Sequence, residues 1–81
     1  MKRTEIMLSN VNEVRDFINM VIKINYDVDL MQGRYVIDAK SVMGILALDL
    51  MTPITVIAHG DNTDEFFDRL KKFKQTPLNT D

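Results

Sequence analysis

The sequence predicts an α+β fold, an antiparallel sheet with its helices packed on one face. Three observations point there. Alternating segments and segments of helical spacing run in the order strand, helix, strand, strand, helix, strand, helix. The second and third strands are joined by a tight glycine turn, which makes them antiparallel neighbours. Both long helices open on cap-forming residues and keep their apolar side chains to one side.

Thr4 to Leu8 reads as the first strand, with Ile6 and Leu8 on one face. Ser9-Asn10-Val11-Asn12-Glu13 opens the first helix: Asn10 caps free backbone N–H groups, and Glu13 completes a capping-box pair three residues on. Val11, Val14, Phe17, Ile18 and Val21 then follow at helical spacing, with Asn12, Arg15, Asp16 and Lys23 on the opposite side. Tyr26 to Met31 alternates Val28 and Leu30 with Asp27 and Asp29, a half-buried strand whose carboxylates face solvent. Gln32-Gly33 forms the turn, and Arg34 to Asp38 returns beside it.

Ala39-Lys40-Ser41 leads into a run that stays apolar until Asp49. Gly44 weakens both a helix and a strand there, but Met, Leu and Ala outnumber β-branched residues and favour a short helix. Such a helix is apolar on every side, and a small domain cannot bury it all round. Of Val42, Met43, Ile45 and Leu46, two are expected to point inward, Ile45 among them, leaving the rest as a contact surface. Ser41 caps the helix, where free N–H groups and the macrodipole favour an anion. Thr52-Pro53 ends this element, and Ile54 to His59 is the fourth strand. Asn62 to Glu65 again resembles a capping box, followed by Phe66, Phe67, Leu70 and Phe73 on one face. Acidic residues lead this last helix and basic ones finish it, in accord with the macrodipole.

Residues 1–75 are expected to form one domain and 76–81 a short flexible tail. A chain of 81 residues buries only roughly 60% of its unfolded surface, which argues against a deep catalytic cavity. The net charge of −2 leaves no basic footprint for nucleic acid. The absence of cysteine excludes disulfides, thiol catalysis and thiolate metal sites. His59 stands alone as the single histidine, with nothing to complete a metal site, and no cofactor is expected. No apolar run reaches the roughly 18 residues of a membrane span, and the N-terminus lacks a signal-peptide core, so a soluble cytoplasmic protein is expected.

The element order, the glycine hairpin and above all Ala39-Lys40-Ser41-Val42-Met43-Gly44-Ile45-Leu46 resemble the histidine-containing phosphocarrier family, HPr, of the bacterial sugar phosphotransferase system. The resemblance extends from about Thr4 to Phe73. It implies an open-faced β-sandwich, a four-stranded antiparallel sheet with three helices on one face, and a carrier or adaptor rather than an enzyme. The family's phosphoryl-acceptor histidine opens the first helix within a His-Ala-Arg-Pro motif. Asn10-Val11-Asn12-Glu13 occupies that place, so Asn10 replaces the histidine, Asn12 the arginine and Glu13 the proline. An amide nitrogen, its lone pair delocalised into the carbonyl, is no phosphoryl acceptor. The second family site is a serine modified by a dedicated kinase, and Ser41 matches it. Val42, Met43 and Leu46 match the surface that docks a transcriptional repressor, to which the position of Asn12 also contributes.

The implied partners are an HPr kinase and phosphotransferase-system or repressor proteins. The expected role is regulatory, without phosphohistidine and with Ser41 as the switch. Two other readings remain open: a residual phosphocarrier with an unusual acceptor such as His59, and a degenerate binding module, for instance a homodimer through the apolar helix.

Overall fold

In the computed structural model, which describes residues 2–49 and 52–74, strands β1 (Lys2–Ile6), β2 (Val28–Gln32), β3 (Tyr35–Asp38) and β4 (Ile54–Ala58) form one antiparallel sheet in the order β1-β4-β2-β3. Helix α1 (Val11–Val21) lies between β1 and β2 and α2 (Val42–Leu46) between β3 and β4, while α3 (Asp64–Leu70) follows β4 and is extended by a short 3-10 turn, Lys71–Phe73. The helix-side face of the sheet supplies Ile6, Val28, Leu30, Ile54, Val56 and Ala58 to a single core. Val14, Phe17 and Val21 of α1, Ile45 of α2, and Phe66, Leu70 and Phe73 meet them there. The Phe17 and Phe73 rings stand edge to face at 6.1 Å. The expected α+β architecture is therefore the observed one. The tail expected at 76–81 lies outside the described residues.

Several boundaries move. The first strand begins at Lys2 rather than Thr4 and stops at Ile6, because its partner begins at Ile54 and the next residue back is Pro53, which has no N–H for a ladder. Met7 N–H instead donates to the Phe73 carbonyl at 2.8 Å, and Leu8 is buried beyond the strand. Val11, expected on the apolar face of α1, is 78% exposed. It occupies the first helical position, and burial in α1 begins only at Val14. The hairpin turn is Gly33-Arg34 rather than Gln32-Gly33, since Gln32 still pairs with Tyr35. Gly33 takes a positive φ, 59°, as the first position of a type II′ turn requires, and no other described residue does. The cap of α3 is Thr63 rather than Asn62, and its side chain makes no capping bond. Tyr26 lies outside β2, packed edge to face on Phe66.

Among the described residues, no helix covers the opposite face of the sheet. Alternation puts Arg3, Glu5, Asp29, Met31, Val36, Asp38, Thr55 and Ile57 there. Ile57 is nevertheless buried, directly between Arg3 and Asp29 in the register.

Candidate functional site

α2 is a helix of five residues, barely more than one turn, so only one of its side chains can face the sheet. That residue is Ile45, fully buried. Val42, Met43 and Leu46 are 47%, 80% and 63% exposed, so one apolar residue of the four points inward rather than the expected two. The contact surface is correspondingly larger.

Three contacts hold this helix in place. Ser41, extended at φ −95°, caps it by accepting from Gly44 N–H at 3.1 Å. Lys40 donates from Nζ to the Ile24 carbonyl at 2.8 Å, tying the entry of α2 to the exit of α1. After the helix, the Gln32 side chain clasps the connection to β4: Oε1 accepts from Asp49 N–H at 2.7 Å, while Nε2 donates to the Asp49 and Thr52 carbonyls at 2.6 and 3.2 Å. Gly44 has a steric reason to be glycine, since a Cβ there would lie 3.1 Å from Ile37 Cδ1 and 3.2 Å from Ser41 Oγ. The glycine lets α2 approach β3 while keeping space beside the Ser41 oxygen. Ser41 itself is exposed.

At the start of α1, Asn10 Oδ1 accepts from Glu13 N–H at 2.9 Å, and Glu13 Oε1 accepts from Ser9 N–H at 2.7 Å. This is the expected capping pair with its return bond moved one residue upstream. Asn12 Oδ1 accepts from Arg15 Nη2 at 2.9 Å. A guanidinium thus reaches back to the first turn of α1, a cation that residue-by-residue matching does not reveal because it arrives from one turn further along. No hydrogen bond joins Asn10 or Asn12 to Ser41, Val42, Met43 or Leu46.

His59, just beyond β4, sits diagonally across from Asp29, with Nε2 and Oδ2 2.9 Å apart. An ionised carboxylate only accepts, so Nε2 is the donor in this contact. Asp29 of β2, Asp27 just before that strand and Asp38 of β3 make this an acidic setting. Among the described residues no three His, Asp or Glu side chains converge as a metal site, and no helix is long and apolar enough to cross a membrane.

An open cleft of about 450 Å³ lies between the end of α1 and the start of α3, over Tyr26 and Phe66 and edged by Lys23, Glu65 and Arg69. Burial, and then the Glu65 carboxylate, push the Tyr26 phenol above the usual tyrosine value. Because that folded-state value is raised, the stabilisation it reports is complete below the ordinary tyrosine pKa and is lost as pH rises through the folded one. In a Tyr35→Phe background, Glu65→Gln is expected to lower the Tyr26 titration part of the way, read by phenolate absorbance. An unchanged titration would assign the shift to burial alone.

Comparison with known proteins follows this geometry. The sequence signature of the PTS-HPr family, described as the PTS HPr component phosphorylation site, matches residues 11–76. Among curated protein sequences no match is found. Among solved structures, HPr-C-His from Thermoanaerobacter tengcongensis is 23% identical with a TM-score of 0.76, covering 89% of each chain. Phosphocarrier protein HPr from Bacillus anthracis str. Ames is 19% identical with a TM-score of 0.71, covering 91% of this chain and 96% of that one. Crh, the catabolite repression containing protein of Bacillus subtilis, is 25% identical with a TM-score of 0.63, covering 90% of this chain and 85% of its own, and is an intertwined dimer with a swapped domain.

Proposed function

The chain belongs to the HPr family of the phosphotransferase system, and from that premise we propose that it is a regulatory adaptor of that system, switched by phosphorylation of Ser41 and unable to carry phosphohistidine. Members of the family are phosphocarriers rather than enzymes. The observation that carries the reading is the setting of Ser41: an exposed hydroxyl at the edge of a helix whose Val42, Met43 and Leu46 are turned to solvent.

A kinase would transfer the γ-phosphoryl group of ATP to Ser41 Oγ. The new O–P bond forms as the bond to ADP breaks, and the serine proton leaves to a base on the kinase. The product adds a charge of about −1.5 to −2 beside the apolar surface. A cytoplasmic partner with an apolar groove rimmed by basic residues would then read both features together, and phosphotransferase-system or repressor proteins are the partners that family membership suggests.

At the other end, Asn10 offers an amide where the family's acceptor histidine stands. Its oxygen is committed to Glu13 N–H, and Glu13 adds negative charge beside any incoming phosphate. Arg15, held on Asn12, is placed to take over the docking role of the missing arginine, so Asn12 acts through it. His59 is the other conceivable acceptor. Asp29 engages its Nε2, and the surrounding carboxylates repel a phosphoryl donor.

Incubation with an HPr kinase and ATP is expected to give one acid-stable phosphate, abolished by Ser41→Ala. The variant also loses its cap, at about 1 kcal/mol, so its fold is checked by circular dichroism. No incorporation under conditions that modify an ordinary HPr would overturn the switch. Acid-labile phosphate from phosphoenolpyruvate, lost in His59→Ala, would instead establish the residual-carrier reading.

A further inference from the structure

β3 closes one side of the sheet, and among the described residues nothing pairs with its outer edge. Edge strands are ordinarily protected by shortness, by charged residues, lysine above all, by proline or by a bulge, and the protection of β3 is limited to its four-residue length and the single charge of Asp38. Tyr35-Val36-Ile37-Asp38 contains no lysine or proline, and its register with β2 is unbroken. Tyr35 and Val36 are large apolar residues exposed to solvent. Arg34, beside them in the turn, makes no hydrogen bond or ion pair among the described residues.

The orientation of the free edge follows from one bond. Ala39 N–H donates to the Val28 carbonyl at 2.8 Å. By antiparallel alternation, the backbone groups of Tyr35, Ile37 and Ala39 face β2, and those of Val36 and Asp38 face outward, where the Asp38 carbonyl already accepts from Ser41 N–H at 2.9 Å and the Val36 groups stay open. A second strand can therefore pair here only in registers that place outward residues opposite outward residues. Of the four two-fold arrangements centred within Tyr35–Asp38, one centred on Asp38 sets that carboxylate against itself and one centred on Ile37 sets Arg34 against Lys40, both repulsive. One centred on Tyr35 sets Asp38 against Gln32 and forms no ion pair. The arrangement centred on Val36 sets Arg34 against Asp38 twice, Tyr35 against Ile37 twice, and Val36 against itself.

We propose that β3 pairs antiparallel with β3 of a second copy of this chain, about a two-fold axis at Val36, so that Arg34 of each copy faces Asp38 of the other. The Val36 amide and carbonyl exchange hydrogen bonds with their counterparts. On the helix-free face, the arriving guanidinium also relieves Asp38, which stands directly opposite Asp29 within its own sheet. On the helix side, Tyr35 covers the partly buried Ile37 of the second copy. The result is one continuous eight-stranded sheet. This pairing does not depend on Ser41 chemistry. One short edge is small against the roughly 1,600 Å² of a stable interface, so association is expected at about 0.1–1 mM.

Sedimentation equilibrium of the full chain over that range tests the pairing. Wild type is expected to approach a dimer at the top of the range. Arg34→Asp and Asp38→Arg each place like charges across the axis and are expected to weaken association at least about tenfold. The double variant Arg34→Asp/Asp38→Arg restores opposite charges and is expected to recover most of it. Asp38 also accepts from Lys40 N–H at 2.8 Å, so a folding defect there is bypassed with Val36→Lys, which sets two ammonium groups against each other at an exposed position and is expected to abolish the dimer. A wild type monomeric throughout, or a folded double variant without rescue, overturns the proposal. So does association abolished by Leu46→Glu but untouched by Val36→Lys, which would place the contact on α2.

Discussion

Phe17→Ala is expected to remove about 3–5 kcal/mol of stability, much of the roughly 5–15 kcal/mol that a natural domain possesses. Phe17 is fully buried at the centre of α1 and meets Phe73 edge to face, so it joins the first helix to the end of the last. Truncation leaves a cavity that three different elements would have to close together, and a backbone held by a sheet register cannot follow. Urea denaturation should show the midpoint falling sharply at nearly constant slope. Val11→Ala, in the same helix, is the control. Its side chain is 78% exposed, and the change should stay within about 0.5 kcal/mol. A loss at Phe17 no larger than at Val11 would contradict the packing described for α1.

The second large effect is expected at Gly60. A Cβ there would come within 2.7 Å of Tyr26 Cγ and 3.0 Å of Tyr26 Cβ. These atoms lie at the root of the side chain, so rotating the ring does not relieve the overlap. Either the backbone beside His59 moves, straining the His59 N–H bond to the Asp27 carbonyl at 2.9 Å, or Tyr26 leaves its place against Phe66. Overpacking of this kind costs about 1–3 kcal/mol. At about 4–8 °C per kcal/mol for a domain of this size, Gly60→Ala should lower Tm by roughly 5–20 °C. A thermal midpoint equal to wild type would show that the strand end and Tyr26 do not meet as described.

How far such features can be read from the chain depends on whether they are local. Val28 and Leu30 alternate with Asp27 and Asp29, and the sheet buries the apolar pair as alternation requires. Asn10 and Ser41 are legible as caps because a cap needs only its own residue and the next three. Val11 is misread because helical spacing says which way a side chain points but not whether anything lies there. Asn62 and Thr63 are both competent caps, and the choice between them falls to how tightly Thr63 is enclosed. The pairing of His59 with Asp29 spans thirty positions and exists only through the register of β2 on β4. The Gln32 clasp on Asp49 and Thr52 is invisible for the same reason.

The register of β1 carries a further consequence, for the order in which the chain folds. Its strand partner is β4, joined from Lys2 opposite Ala58 to Ile6 opposite Ile54. The β2–β3 hairpin can zip within microseconds of leaving the ribosome. The first strand to be synthesised must wait for the last. Until Ala58 has emerged, residues 2–6 have no sheet to join, and closure demands a long loop. This edge of the sheet is therefore the last to close, and in a crowded polysome the waiting strand is open to capture by a neighbouring nascent chain.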